Sequence, residues 1–439
     1  MKRGHTIGLG AVALAVAGTV VAMKSEPAAK ADHPVQLSQA KVELAKVDSG
    51  ARQRLNYQAL DSRFKQLMSE PSMVGMAVGV VENGRITFLS GYGETLAKSG
   101  EQVTPETVFR WASVSKGVAA TMVAKLAEQG KVSFSAPVAN YSATLKLPGG
   151  TERYATVGDL MSHRLGLYRN AYDNKLEEGQ DPRFLRQTLA QLNSICPPGT
   201  CWSYQNVAYD ASTEIVERLT GKSYGDALRE QLFGPIGMTS ASVTRDGIVS
   251  AKSWARPHAA GRRPVDLLDT YYKVPAAGGV NSNIKDMSLW MIAQMGLMPD
   301  VVSTQVLNTI HAPLVKTPGE RGRLRKFLER LGEADYGYGW RSYDYAGHRI
   351  VGHRGGVSGY RSLILFDPLL KSGVVALWNS NTSQPGGLEF EVMDMLYGLP
   401  FRDWLELDTA APVTPAPEEE GAPQGTAAIA EAPRGRRAA

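Results

Sequence analysis

Asn83-Gly84 lies between two strand-patterned runs, Met73–Val81 and Arg85–Gly91, and is the strongest short hairpin signal a sequence can carry. Strand-like runs return only near the far end, at Arg349–Gly352, Arg361–Phe366 and Gly373–Trp378. Leu55, Leu60, Phe64 and Leu67 fall on one helical face that stops at Pro71, and Glu389–Leu399 reads as a closing helix. The stretch between, to about residue 330, is mostly helical and loop-rich. Strands at both ends around a helical middle predict an α+β fold: one antiparallel sheet built from both ends, flanking helices, and a helical insertion beside it. The cleft between the two parts is then the natural binding site.

The 439 residues allow two or three structural units, and 43% hydrophobic content supports an ordinary core. Collagen-like, coiled-coil, multi-span membrane and wholly disordered chains are excluded. Residues 1–31 supply three of the five net positive charges, and the remaining two are too few for a nucleic-acid surface. Lys2 and Arg3 precede an uncharged run from Thr6 to Met23, and Ala29-Lys30-Ala31 offers a small-residue cleavage site before Asp32. Residues 1–31 are therefore read as an export signal, placing the folded part in the periplasm or outside the cell. An uncleaved inner-membrane tether facing the periplasm is the alternative, weakened by Gly8, Gly10 and Gly18. Residues 32–50 read as a polar linker, 51–408 as the folded domain, and 409–439, Pro/Ala/Glu/Gly-rich without aromatics or Leu, as a disordered tail.

Seven scattered histidines without ligand spacing argue against a metal enzyme, and no HExxH, P-loop, GxGxxG or GxSxG motif occurs. No cofactor is expected. Cys196 and Cys201 predict a short disulfide bracing the loop before Tyr204. The run 321–331 places Leu324, Phe327, Leu328 and Leu331 on one stripe and reads as a solvated surface helix.

A serine nucleophile without a histidine base can use a lysine one helical turn on. Four Ser-x-x-Lys pairs occur: Ser38/Lys41, Ser62/Lys65, Ser113/Lys116 and Ser282/Lys285. The first lies in the linker, the second on a polar helix face, and the fourth reads as a helix cap. Ser113 opens a helix carrying Val118, Met122 and Leu126, where the dipole and free N–H groups favour developing negative charge. A plain N-cap with a solvent lysine remains open from this segment alone. A phenol near the lysine would help move protons, because a close cation lowers the cost of a phenolate. Of three Tyr-x-Asn pairs, Tyr168/Asn170 and Tyr172/Asn174 read as turn chemistry. Tyr204/Asn206 follows the stiff Pro197-Pro198-Gly199 turn and leads to a helix with Val207, Ala211, Ile215 and Leu219, ended by Gly221.

Phe109-Arg110-Trp111-Ala112-Ser113-Val114-Ser115-Lys116 resembles the nucleophile segment of class C β-lactamases and their relatives, the low-molecular-weight D-Ala-D-Ala peptidases and β-lactamase-like esterases. Trp202-Ser203-Tyr204-Gln205-Asn206 is similar to the second block of that group. Met161–Leu167, Ala277-Gly278-Gly279 and Tyr338-Gly339-Trp340 are similar to further blocks, and Val351–Gly356 stands where the third catalytic block belongs. The resemblance spans about 51–400 and implies a β-lactamase/transpeptidase-like fold and an acyl-enzyme hydrolase. Ser113 would be the nucleophile, Lys116 its proton acceptor or electrostatic partner, and Tyr204 the proton relay. Asn206 would orient substrate and contact Lys116, and the N–H groups of Ser113 and Gly356 would form the oxyanion hole. The third block usually reads Lys-Thr/Ser-Gly; here His353, Arg354 and Gly355 occupy it. A neutral imidazole is a weaker anchor for a substrate carboxylate, although Arg354 could supply a fixed charge. This departure weighs against efficient β-lactam hydrolysis and leaves acyl transfer intact.

The expectation is a monomeric exported serine hydrolase acting on a small molecule or short peptide. A class C-like β-lactamase comes first, then a D-Ala-D-Ala peptidase, then an esterase. The rival from another class is a catalytically silent envelope-binding protein.

Overall fold

A computed structural model describes residues 54–408; the expected export signal, linker and tail, and residues 51–53 of the expected domain, lie outside the described residues. The first helix, α1 (Tyr57–Met68), is capped by the Asn56 side chain and buries Leu60, Phe64 and Leu67. Asn83 and Gly84 both take positive φ, 52° and 76°, which a tight turn matching strand twist requires. They join β1 (Gly75–Glu82) to β2 (Arg85–Gly93).

A short pair, β3 (Phe109–Arg110) with β4 (Asn281–Ser282), stands apart from the main sheet. The remaining strands are β5 (Val315–Lys316), β6 (Leu331–Tyr336), β7 (Arg341–Tyr345), β8 (His348–Val357), β9 (Tyr360–Asp367) and β10 (Ser372–Trp378). The eight-stranded sheet runs β2-β1-β10-β9-β8-β7-β6-β5, with its neighbours antiparallel. The hairpin from the beginning of the domain therefore pairs directly with the last strand, Met76 facing Trp378 and Val81 facing Gly373.

Every residue of β1 is buried, because both sheet faces are covered. Met76, Val78 and Val80 join a core with α1 and the closing helix, whereas Ala77 and Val81 join a second core with the helical middle. The two-residue period divides the strand between two hydrophobic layers. Gly79 lets a helix of the middle lie close on the sheet, since a Cβ there would stand 2.3 Å from Ser288 Oγ. The two ends of the described stretch are tied by Arg63, which bonds Glu391 at 2.9 Å, Asp408 at 2.7 Å and Asp403.

The expected helical middle ends sooner than its pattern suggested. β5, β6 and β7 extend the sheet within and beyond it. The run 321–331 is not one helix: a helical turn ends at Arg323, a 3-10 turn covers Arg325–Phe327, and Leu331 opens β6. Leu324, Phe327 and Leu331 are buried on the sheet while Leu328 is exposed, so the apolar stripe marks a chain reversal against the core.

His311 packs edge-on against Trp340 and Phe366, and this enclosure, with Arg349 nearby, pushes its imidazole down to about 3. Its folded value lies below the free-histidine value, so its contribution to stability is present above about pH 6.5 and is lost as pH falls toward 3. Urea unfolding at pH 7 and pH 5 should show His311→Gln losing less stability than the parent, by on the order of 1 kcal/mol once solvent screening is allowed for.

Candidate active site

Trp111 follows β3 and is fixed from several sides. Its backbone N–H donates to the Val280 carbonyl at 2.8 Å, its indole donates to Ser282 Oγ at 2.9 Å, and its carbonyl accepts from Ser362 Oγ at 2.6 Å. Ala112 then adopts φ of 48°, costly for a residue with a Cβ, and begins the 3-10 turn Ala112–Val114 that carries Ser113. The helix Ser115–Glu128, α2, follows directly and is buried around most of its circumference. Ser113 and Lys116 thus share its N-terminal end. Ser113 is only partly buried, and its hydroxyl has no hydrogen-bond partner among the described residues.

Lys116 is wholly buried. Its Nζ donates to Asn206 Oδ1 at 2.6 Å and to the Ala277 carbonyl at 2.9 Å, and lies 4.6 Å from the Tyr204 ring centroid. An ammonium has three protons, so one remains for the side of the site that holds Ser113 and Tyr204. The carbonyl of Lys116 accepts from Tyr209 OH at 2.9 Å. Gly339, at φ of 70°, approaches the same carbonyl so closely that a Cβ would stand 2.5 Å away. That contact is a physical reason for the Tyr338-Gly339-Trp340 block.

Tyr204 and Asn206 arrive on the turn after the Cys196–Cys201 disulfide, ahead of the helix Ala211–Thr220, α3, which closes on Gly221 at φ of 68°. Asn206 is oriented at both ends, because its Nδ2 donates to Asp173 Oδ2 at 2.6 Å while its Oδ1 faces the lysine. Burial pushes the Asp173 carboxyl up, against the pull of the Asn206 amide and Lys116. Tyr204 is 7% exposed, packs 4.4 Å from the His163 ring, and its hydroxyl meets no hydrogen-bond partner among the described residues.

The third block divides by strand alternation. His353 and Gly355 face the helical middle. A Cβ on Gly355 would stand 2.3 Å from the Trp111 carbonyl and 3.1 Å from Ala112 Cβ, so β8 rests directly on the nucleophile turn. His353 is buried, its ring 6.4 Å from that of Tyr204, with Nε2 3.2 Å from Tyr336 OH and Nδ1 2.7 Å from the Arg354 carbonyl. Burial first, then Arg341 and Lys116, push its imidazole well below the usual range, so it is neutral. Arg354 is not part of this constellation. Successive strand side chains point to opposite faces, and Arg354 pairs with Glu389 and lies over Phe327 and Phe390 on the far side of the sheet. The expectation that it supplies a charge to substrate is corrected accordingly. Gly356, next along, is exposed.

Ser38/Lys41 lies outside the described residues, and two other Ser-x-x-Lys pairs have bland roles. Lys65 pairs with Asp61 at 2.6 Å, and Ser282 Oγ is used by Trp111 and by the Asn283 carbonyl, whereas the helix cap expected of Ser282 is the side chain of Asn283. Asp173, His163, Tyr336 and Arg169 were not assigned roles from sequence. Arg169 is exposed, lies 5.6 Å from the Tyr204 ring centroid, and has no carboxylate partner among the described residues. Glu320 is shared by Arg341 at 3.3 Å and Arg323 at 3.6 Å. No group of three or more His, Cys, Asp or Glu side chains that could hold a metal ion occurs among the described residues.

Gly355→Ala should displace β8 from the Trp111–Ala112 turn. A serine-reactive fluorophosphonate should label Ser113 of the parent, and label the variant roughly 100-fold more slowly, as a misplacement near 1 Å would require. Labelling is read by mass spectrometry.

The protein-family model described as Beta-lactamase matches residues 60–393. An unguisins hydrolase from Aspergillus campestris is 30% identical over 336 residues, covering 73% of this chain and 61% of the relative. The chain thus spans about three fifths of that relative's length. Penicillin-binding protein 4 from Amycolatopsis lactamdurans is 29% identical over 337 residues, covering 73% and 84%. The solved octameric penicillin-binding protein homologue from Pyrococcus abyssi shares the fold, with a TM-score of 0.70 at 24% identity, over 79% of this chain and 78% of that one. With its sheet drawn from both ends and Ser113, Lys116 and Tyr204 at one helix terminus, this chain belongs to the Beta-lactamase family.

Proposed function

We propose that the protein is an exported serine hydrolase that forms an acyl-enzyme on Ser113 and acts on small esters or amides whose leaving part carries no carboxylate. The observation that carries this reading is the buried Lys116 ammonium, held on Asn206 and lying against the Tyr204 ring. Ser113 Oγ attacks the substrate carbonyl and gives up its proton to the Lys116–Tyr204 pair, which receives it in the form holding one proton fewer, a phenolate beside the ammonium or an amine beside the phenol. Tyr204 passes a proton to the departing alcohol or amine, then takes one from the water that attacks the acyl-enzyme and returns it to Ser113. Backbone N–H groups of Ser113 and Gly356 receive the oxyanion. The substrate preference follows from the third block, where both nitrogens of neutral His353 are occupied and Arg354 faces away. The disulfide supports export, since such bonds persist in oxidising compartments.

A second reading rests on Arg169. Its position over Tyr204 without a carboxylate partner among the described residues suits a substrate anion, as in a β-lactam or a D-Ala-D-Ala peptide.

The full chain should be offered a short-chain nitrophenyl ester, a chromogenic cephalosporin, a fluorescent penicillin and a D-Ala-D-Ala peptide. Ester turnover should dominate, Ser113→Ala should abolish it, and Lys116→Ala should lower kcat by roughly 100- to 10,000-fold. Cephalosporin turnover, or a stable penicillin adduct with peptide cleavage, weakened in either case by Arg169→Gln, would establish the second reading. Activity that survives Ser113→Ala would overturn both.

A further inference from the structure

Beneath Tyr204 four contacts run in series. The Gln205 backbone N–H donates to His163 Nδ1 at 3.2 Å, and His163 Nε2 lies 3.2 Å from Tyr336 OH. Tyr336 OH lies 3.2 Å from His353 Nε2, and His353 Nδ1 is 2.7 Å from the Arg354 carbonyl. Both ends of this line are backbone groups with one possible role each: a peptide N–H only donates, and a carbonyl only accepts. His163 must therefore be bare at Nδ1 and carry its proton on Nε2. His353 must carry its proton on Nδ1 and be bare at Nε2. The single hydroxyl proton of Tyr336 is then directed at His353 while its oxygen accepts from His163. This is the one assignment that satisfies all five groups with both imidazoles neutral.

The surroundings keep it so. His163 and Tyr336 are wholly buried, and His353 nearly so. Burial is the main cause that pushes both imidazoles down, and the neighbouring cations add to it. Lys116 of α2, Arg341 of β7 and Arg169 of the loop after His163 face His163; Arg341 and Lys116 face His353. Tyr204, Tyr343 and Glu320 surround Tyr336 beside Arg341, and Tyr209 packs 5.0 Å from the His163 ring. Because neither terminal backbone group titrates, no proton can travel along the line. It is a clamp.

What it clamps is the catalytic geometry. At one end, His163 holds the Tyr204 segment three ways: through Gln205 N–H, through its own carbonyl accepting Ser203 N–H at 2.8 Å, and through ring contact with Tyr204. At the other end, His353 lies on β8 two residues before Gly355, the residue that rests on the Ser113 turn. We propose that Tyr336 is a positioning residue that sets the distance between Tyr204 and Ser113 by bridging two histidines of opposite tautomer. The proposal rests on the assignment of Ser113 and Tyr204 above.

Two measurements test it, and the first needs no activity. In the full chain with nitrogen-15 histidine, His163 should show the neutral Nε2–H tautomer and His353 the neutral Nδ1–H tautomer, both unchanged from pH 5 to 8. Assignment comes from the single variants His163→Gln and His353→Gln. The same tautomer in both rings, or titration of either within that range, overturns the proposal even if the hydrolase assignment stands. The second is Tyr336→Phe, which keeps the ring and removes the bridge. On whichever substrate the parent turns over, kcat should fall about 10- to 100-fold with KM within about twofold, and at least one imidazole should lose its fixed tautomer. A variant that merely melts earlier while retaining the parent kcat overturns it. Loss of all labelling at Ser113 in the parent would instead sink the hydrolase assignment and leave the tautomer result standing.

Discussion

A positive charge with no exposed surface has to be satisfied by the protein itself, and Lys116 sets that condition for the rest of the molecule. Left bare in such an interior, an ammonium would cost several kcal/mol. Its acceptors come from two segments distant in sequence, the Asn206 amide and the Ala277 carbonyl, and the faces of Tyr204 and Tyr209 complete the enclosure. Solvating this one charge therefore requires α2, the turn after the disulfide and the loop around Ala277 to be in place together. Folding of the helical middle and assembly of the site are one event.

Sequence was informative where a local pattern carries the information. Asn83-Gly84 and the alternation around it announce the hairpin, and Leu60, Phe64 and Leu67 announce α1. β6 and β7 escaped notice because Leu331–Tyr336 and Arg341–Tyr345 mix Gly, Glu, Asp, Ser and Tyr, a composition that reads as loop until neighbouring strands are known. Ser113/Lys116 and Tyr204/Asn206 stand out from the rival pairs by a helix opening and a stiff turn, and the family pattern adds their roles. No local spacing pairs Asn206 with Asp173, in a stretch that reads as turn chemistry, and none pairs His163 with Tyr336 and His353. Arg354 could have been placed correctly from period-two geometry alone, since the residue after a site-facing strand residue must face away.

The third block shows how one family arrangement can be kept while its electrostatics change. Gly355 preserves the tight approach of strand to nucleophile turn, and His353 preserves contact with the Tyr204 segment through Tyr336. The third block itself offers no cation on the face it turns to the site, because Arg354 faces away. Charge near Tyr204 comes from Lys116 and Arg169, on segments outside the sheet, and from Arg341 of β7.

The bonds from Arg63 to Glu391, Asp403 and Asp408, with β1 paired to β10, bring the beginning and the close of the described chain side by side. The succession of elements is in that sense a ring interrupted at one place, and the place is incidental to the packing. Cutting the ring at a surface loop and joining the present ends would keep every layer of the sheet in order.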